Sequence, residues 1–272
     1  MTYFEERQDR WSGDRWNATV RAPRGAFRPS PIFLAIVAVF AGFSALAWLG
    51  KGDDGVNVFF MVVAGWLFSL CLHEYAHALV AYKSGDLSVP GRGYLQLNPL
   101  KYVNWLLSIV LPILFIIAGG IALPGGAVLI DHQYIRDRRK ETAISLAGPA
   151  VNLLFAAALI LPFTVGVDVE AHQVFWAGAA YLAFFQLLAG IFNLLPIPGL
   201  DGGAAIQPWL PPAWQRGFNA IRPYGFFIVL LVLWQLPLGQ SLVNHVANLM
   251  VSAGVPGFTI NMGQFLFRFW SH

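Results

Sequence analysis

Charge is scarce in this chain. Only 11% of its 272 residues are Asp, Glu, Lys or Arg, about half the share of an ordinary globular domain, while 57% are hydrophobic and the mean hydropathy is +0.60. So little charge excludes a soluble surface, and the chain reads as an integral membrane protein whose surroundings are the lipid bilayer. Cysteine is nearly absent too: Cys71 stands alone, which excludes a disulfide framework. Placed two residues before His73, it points away from that side chain and reads as a small packing residue rather than a metal ligand. A formal net charge of +3 is too small to suggest a nucleic-acid partner, and none is expected.

What the chain has in abundance is long apolar runs, at residues 31–50, 56–82, 102–123, 142–165, 174–195 and 224–236. The first five are long enough to span about 30 Å of hydrocarbon at 1.5 Å per residue, and the last is marginal. Residues 1–29 hold six arginines against four acids and show no apolar periodicity, so they read as a flexible or interfacial cytoplasmic arm. The apolar run that follows is too long for a signal peptide and reads as a retained anchor.

Within the second run, residues 73–77 are His-Glu-Tyr-Ala-His, and Glu74 is the only formally charged side chain between Val56 and Tyr82. On a helix, His73 and His77 lie one turn apart on the same face, a spacing that suits two imidazoles on one Zn²⁺ with Glu74 beside it as general base. An ionisable group at membrane depth is costly and points by default to function. The competing reading is a chance match whose histidines hydrogen-bond to neighbouring helices.

Lys and Arg favour the cytoplasmic side, so the arginine-rich arm puts the N-terminus inside and the zinc helix returns towards the cytoplasm near Lys83. If residues 102–130 crossed the membrane, Arg136, Arg138, Arg139 and Lys140 would lie outside. A re-entrant hairpin keeps fifteen of the seventeen basic residues inside and accommodates the breaks at Pro112, Gly119-Gly120, Pro124 and Gly125-Gly126. Both topologies stand at this point. Residues 92–98 and 127–131 read either as short strands of a small sheet at the cytoplasmic mouth, able to hold an extended substrate by strand addition, or as plain loops.

A second constellation spans residues 193–203, Asn-Leu-Leu-Pro-Ile-Pro-Gly-Leu-Asp-Gly-Gly. Pro196 and Pro198 stop the preceding helix, and Asp201 is expected on irregular backbone that folds back into the bundle. A catalytic zinc site commonly has three protein ligands and one open position, and Asp201 is the best third ligand, although an Asp-Gly-Gly can also be a simple turn. His132, His172, His245 and His272 read as surface residues.

The paired motifs resemble the site-2 protease family of intramembrane zinc metalloproteases, in its compact bacterial branch without PDZ or CBS domains. Further matches are Gly148-Pro149-Ala150-Val151-Asn152, Leu97-Asn98-Pro99-Leu100, and the run from His77 through Gly85-Asp86. The chain departs from that branch between Ile121 and Gly126, where relatives carry an aromatic and a lysine near the proline. The resemblance implies one Zn²⁺ per chain on His73, His77 and Asp201, a water activated by Glu74, and roles near the site for Asn152 and Asn193. Either amide is a candidate donor to the oxyanion of a scissile carbonyl or a partner for buried backbone.

The expected architecture is an all-α polytopic membrane protein with five to six transmembrane helices, a re-entrant hairpin and a small cytoplasmic-side sheet. It divides into the arm at 1–29, a metalloprotease domain at 30–240 with its core at 56–203, and a C-terminal interfacial helix or short span at 241–272. The expected activity is endopeptidase cleavage of membrane-anchored protein substrates in a bacterial cytoplasmic membrane. The alternative is a catalytically silent protein of the same fold that binds membrane partners. The intact Glu74 argues against it, since binding zinc does not require that base. A metal transporter would need polar residues along several helices.

Overall fold

In the computed structural model, residues 25–102, 135, 137–225 and 237–271 are described. The first helix, α1 (Pro31–Trp48), opens on Ser30, whose side chain accepts a hydrogen bond from the Phe33 amide at 3.1 Å, with Pro31 preset for the first turn. The second, α2 (Asp54–Ser84), is capped by Asp53 on the Val56 amide at 2.9 Å and stops at Gly85, whose φ of 125° only glycine adopts readily. Its 31 residues measure about 46 Å, enough to cross a bilayer and project beyond it. Next come α3 (Arg138–Thr164), capped by Asp137, and α4 (Gln173–Asn193). The chain continues through α5 (Asp201–Ile206), α6 (Pro212–Ile221), α7 (Pro237–Ser252) and α8 (Gly257–Phe267).

Four of these, α1, α2, α3 and the helical stretch from Glu170 that ends α4 at Asn193, are long and apolar enough to cross a membrane. The expected spans at 102–123 and 224–236 fall almost entirely outside the described residues. The protein is an all-α, polytopic bundle, and no strand occurs among the described residues. The strand expected at 92–98 is a turn followed by a 3-10 segment, Tyr94–Gln96, because Gly93 and Leu97 both take positive φ (75° and 53°) and break an extended run. Residues 127–131 lie outside the described residues.

α2 is the hub, packed against α1, α3, α4 and α8. Phe33 and Phe40 stack on Phe68, and Phe43 stacks on Phe60, so α1 and α2 run antiparallel. α3 is antiparallel to α2 in turn: Lys140 Nζ donates to the Ser84 carbonyl at 3.3 Å, and His77 meets Ile144. The chain therefore leaves α2 and enters α3 at the same end of the bundle. The hairpin expected over 102–130 itself lies outside the described residues, but its flanks have the placement that a returning segment requires.

α4 runs back along α3, with Phe163 against Trp176 near one end and Gly190 against Leu153 towards the other. Residues 241–271 form most of α7, all of α8 and a closing 3-10 turn. Val246, Met250, Ile260 and Phe267 from this C-terminal part are buried in the main core with Met61, Trp66 and Leu182. The arginine-rich arm lies outside the described residues up to residue 24. After it, Phe27 meets Tyr82 edge-on, and the Ser30 amide donates to the Gln96 carbonyl at 2.8 Å.

Candidate metal centre

α2 brings His73 and His77 to one face, both buried, with Glu74 buried beside them. Counting back from Ser84 at 1.5 Å per residue, the two rings lie about 10 and 16 Å below the helix end, inside the bundle. Asp201 arrives from the far side of the site. It is the first residue of α5, not a residue of irregular backbone as expected from sequence: the prolines stop α4, Gly199 turns at φ 99°, and the chain restarts a helix at once.

Gly202 and Gly203 make that restart possible. A Cβ on either would lie 2.2 Å from the Leu194 carbonyl oxygen or 2.1 Å from that of Ile197. Thr142 pins the other end of α5 to the start of α3, donating to the Ala205 carbonyl at 2.8 Å and accepting from Trp209 Nε1 at 2.9 Å.

The three side chains converge on one point. His73 Nε2 and His77 Nε2 are 3.1 Å apart, and Asp201 Oδ2 is 3.2 Å from the first and 3.4 Å from the second. Zinc bonds of about 2.0–2.1 Å at tetrahedral angles would separate ligand atoms by roughly 3.3–3.4 Å, so the triangle fits a zinc ion. The other ring nitrogens are already engaged, His77 Nδ1 with the Ile144 carbonyl at 2.6 Å and His73 Nδ1 with Asn152 Oδ1. Both acceptors call for a proton on Nδ1, and in a neutral ring this leaves Nε2 with a lone pair facing the other imidazole and the Asp201 carboxylate. Three electron-rich atoms at such distances repel one another unless a proton or a metal cation lies between them. Among the described residues this is the one group of three His, Cys, Asp or Glu side chains so arranged.

Gly148 is the condition for this closeness. A Cβ there would lie 2.2 Å from His77 Nε2 and 2.5 Å from His73 Nε2, so α3 can pass the imidazoles only without a side chain.

A relative named "Putative zinc metalloprotease Rip2" from Mycolicibacterium smegmatis is 45% identical over 256 residues, covering 93% of this chain and 98% of its own length. The chain belongs to the site-2 protease family. A relative of the same name from Mycobacterium tuberculosis is 46% identical over 253 residues, 91% of this chain and 96% of its own length. One named "Putative zinc metalloprotease YwhC" from Bacillus subtilis is 34% identical over 190 residues, 67% of this chain and 83% of its own. No family model and no solved structure matches the chain.

The other residues singled out in this site-2 protease chain sit as follows. Asn152 is buried, its oxygen on His73 and its amide on Gln186 Oε1 at 2.9 Å. Asn193 is buried as the last residue of α4. Cys71 is buried and stands apart from the triangle. His172 lies at the opposite end of the bundle, stacked on Trp48 with centroids 3.6 Å apart, and His245 is exposed on α7. His132 and His272 are outside the described residues. Gln186 was missed by the motif reading. Its signal was nonetheless present, as an amide in the middle of an otherwise apolar helix.

Proposed function

We propose that the chain is an intramembrane zinc endopeptidase, hydrolysing peptide bonds in or near transmembrane segments of membrane-anchored proteins. The observation that carries this reading is the buried triangle of His73, His77 and Asp201, set below the helix end inside a bundle of membrane-length helices. These three residues would hold one Zn²⁺, which supplies the positive charge that polarises a peptide carbonyl and eases deprotonation of water. Glu74, next to His73 and three residues before His77, accepts the proton of the attacking water and delivers it to the leaving amine. Asn193 and the second amide proton of Asn152 are candidate donors to the developing oxyanion.

A substrate helix hides its carbonyls in its own i to i+4 hydrogen bonds, so it must unwind locally to reach the site. The end of the bundle near Ser84 carries Lys83, Arg138, Arg139 and Lys140, and the opposite loops carry Lys51, Asp53, Asp54, Asp168 and Glu170. This distribution supports a site opening to the cytoplasm in a bacterial inner membrane, with the N-terminus cytoplasmic.

The test compares purified wild type with Glu74→Gln for zinc content and for cleavage of a model transmembrane substrate. Both should hold zinc, with the variant cleaving at least about 100-fold more slowly. Equal cleavage by the two would overturn the mechanism. Loss of zinc in Asp201→Ala is the expected mark of the third ligand.

A further inference from the structure

Gln186 is fully buried at the middle of α4, and nothing in the mechanism above uses it. Its Oε1 accepts two hydrogen bonds, from Ser69 Oγ at 2.8 Å and from Asn152 Nδ2 at 2.9 Å, while its Nε2 has no partner among the described residues. Asn152 in turn accepts from His73 Nδ1. Ser69 lies on α2 one turn before His73, so the chain Ser69, Gln186, Asn152, His73 closes a loop of buried polar groups through three helices. A residue kept only for packing has no reason to be an amide with an unmade donor. Met or Leu fills a similar volume in an apolar helix without that cost.

The direction of the chain supplies a reason. With Gln186 presenting its oxygen, Asn152 must turn its NH₂ towards Gln186 and its own oxygen towards His73. An oxygen at Nδ1 requires a proton there, and a neutral imidazole protonated at Nδ1 carries its lone pair on Nε2, the nitrogen that faces His77 and Asp201. Reversing the Gln186 amide would make Asn152 follow, placing its NH₂ against Nδ1. The proton would then belong on Nε2, inside the triangle, where it excludes a metal ion. The Ser69 hydroxyl has one proton and two acceptors in reach, Gln186 Oε1 at 2.8 Å and the Trp66 carbonyl at 3.2 Å; in the first orientation that proton goes to the nearer, Gln186.

We propose that Gln186 is a positioning residue: acting through Asn152, it holds His73 in the Nδ1-protonated tautomer and so keeps Nε2 available to the metal. This rests on the zinc reading of the site.

The experiment strips metal from purified wild type, Gln186→Met, Gln186→Glu and Ser69→Ala, and titrates each with Zn²⁺ against a competing chelator. Gln186→Met should bind zinc about 10- to 100-fold more weakly. Gln186→Glu, whose carboxyl offers Asn152 an oxygen in either protonation state, should stay within about threefold of wild type, a rescue that a packing role does not predict. Ser69→Ala, which removes one donor at the far end of the chain, should lose about fivefold in zinc affinity. With zinc in excess, KM for a model transmembrane substrate should not move in any folded variant.

Wild-type zinc affinity in Gln186→Met, or in Ser69→Ala should the first variant fail to fold, overturns the proposal, as does a Glu variant as weak as the Met variant. A wild type that binds no zinc brings down the zinc reading and this inference together. A zinc-binding wild type with unaffected variants overturns this inference alone.

Discussion

The two halves of α2 have different neighbours. From Asp54 to Phe68 the buried side chains are mostly apolar, Val58, Met61, Val62 and Trp66, set against α4 and the C-terminal helices, with Phe59 against Phe267, Phe269 and Trp270. From Ser69 to Ser84 the buried set includes Ser69, His73, Glu74 and His77. In a bilayer the solvent is as apolar as the side chains, so no hydrophobic force separates helices from lipid. Close packing must hold the first half, and hydrogen bonds the second, where His73 and His77 belong to the group that could hold a metal ion. One continuous helix thus carries the packing that keeps the bundle together and the polar site that such packing alone would not tolerate. The two should respond separately to mutation.

The largest effect should come from Gly148→Ala. The added methyl competes with both ring nitrogens for the same space, and the backbone of α3 must move away or the imidazoles must leave the triangle. Displacing two ligands should exceed the cost of losing an outer-sphere partner, so zinc binding should weaken by more than about 100-fold. A chelator titration measures this, and circular dichroism should show helix content retained. Wild-type zinc affinity in this variant would mean that α3 and the polar half of α2 are not locked together as the geometry requires.

Met61→Ala addresses the other half. Met61 is buried and lies near Gly178 of α4, so its truncation removes packing contacts and leaves a cavity, at a cost of roughly 2 kcal/mol in stability. Thermal denaturation in detergent should show the loss, while zinc affinity stays within about twofold. A parallel loss of zinc would show that the halves are one cooperative unit and would remove the contrast.

How much of this was legible in the sequence depends on how local the cause is. His73 and His77 could be paired from spacing alone, because one turn of helix fixes their relation. Asp201 could be named but not placed. Its position depends on Gly202 and Gly203 closing against Leu194 and Ile197, and a string of glycines states that a turn is possible without stating where it leads. The helices followed from apolar length, whereas the strand reading of 92–98 failed because alternation of residue types says nothing about the positive φ at Gly93 and Leu97. Gln186 escaped because its partners lie 117 and 34 residues away in sequence, and no motif links them.

The smallest effect tests the tether on Asp201. The Thr142 hydroxyl ties α3 to the Ala205 carbonyl of α5 and to Trp209 in the 3-10 turn after it, and Thr142→Val keeps the shape while removing both bonds. The site is reached from two directions, with the imidazoles fixed on the second half of the continuous helix α2 and the carboxylate delivered by the six-residue helix α5. Loosening α5 should therefore weaken zinc without weakening the bundle. Only the bond to Ala205 holds α5 itself, and a neutral hydrogen bond contributes about 1 kcal/mol, so zinc affinity should fall by up to about fivefold. The melting temperature of the metal-free protein should hardly change. That is the reverse of the pattern expected for Met61→Ala, and the two variants measured side by side decide whether packing and metal binding are separable in this bundle. A fall in melting temperature with zinc affinity intact would place Thr142 with the packing half and leave the position of Asp201 to its glycine turn alone.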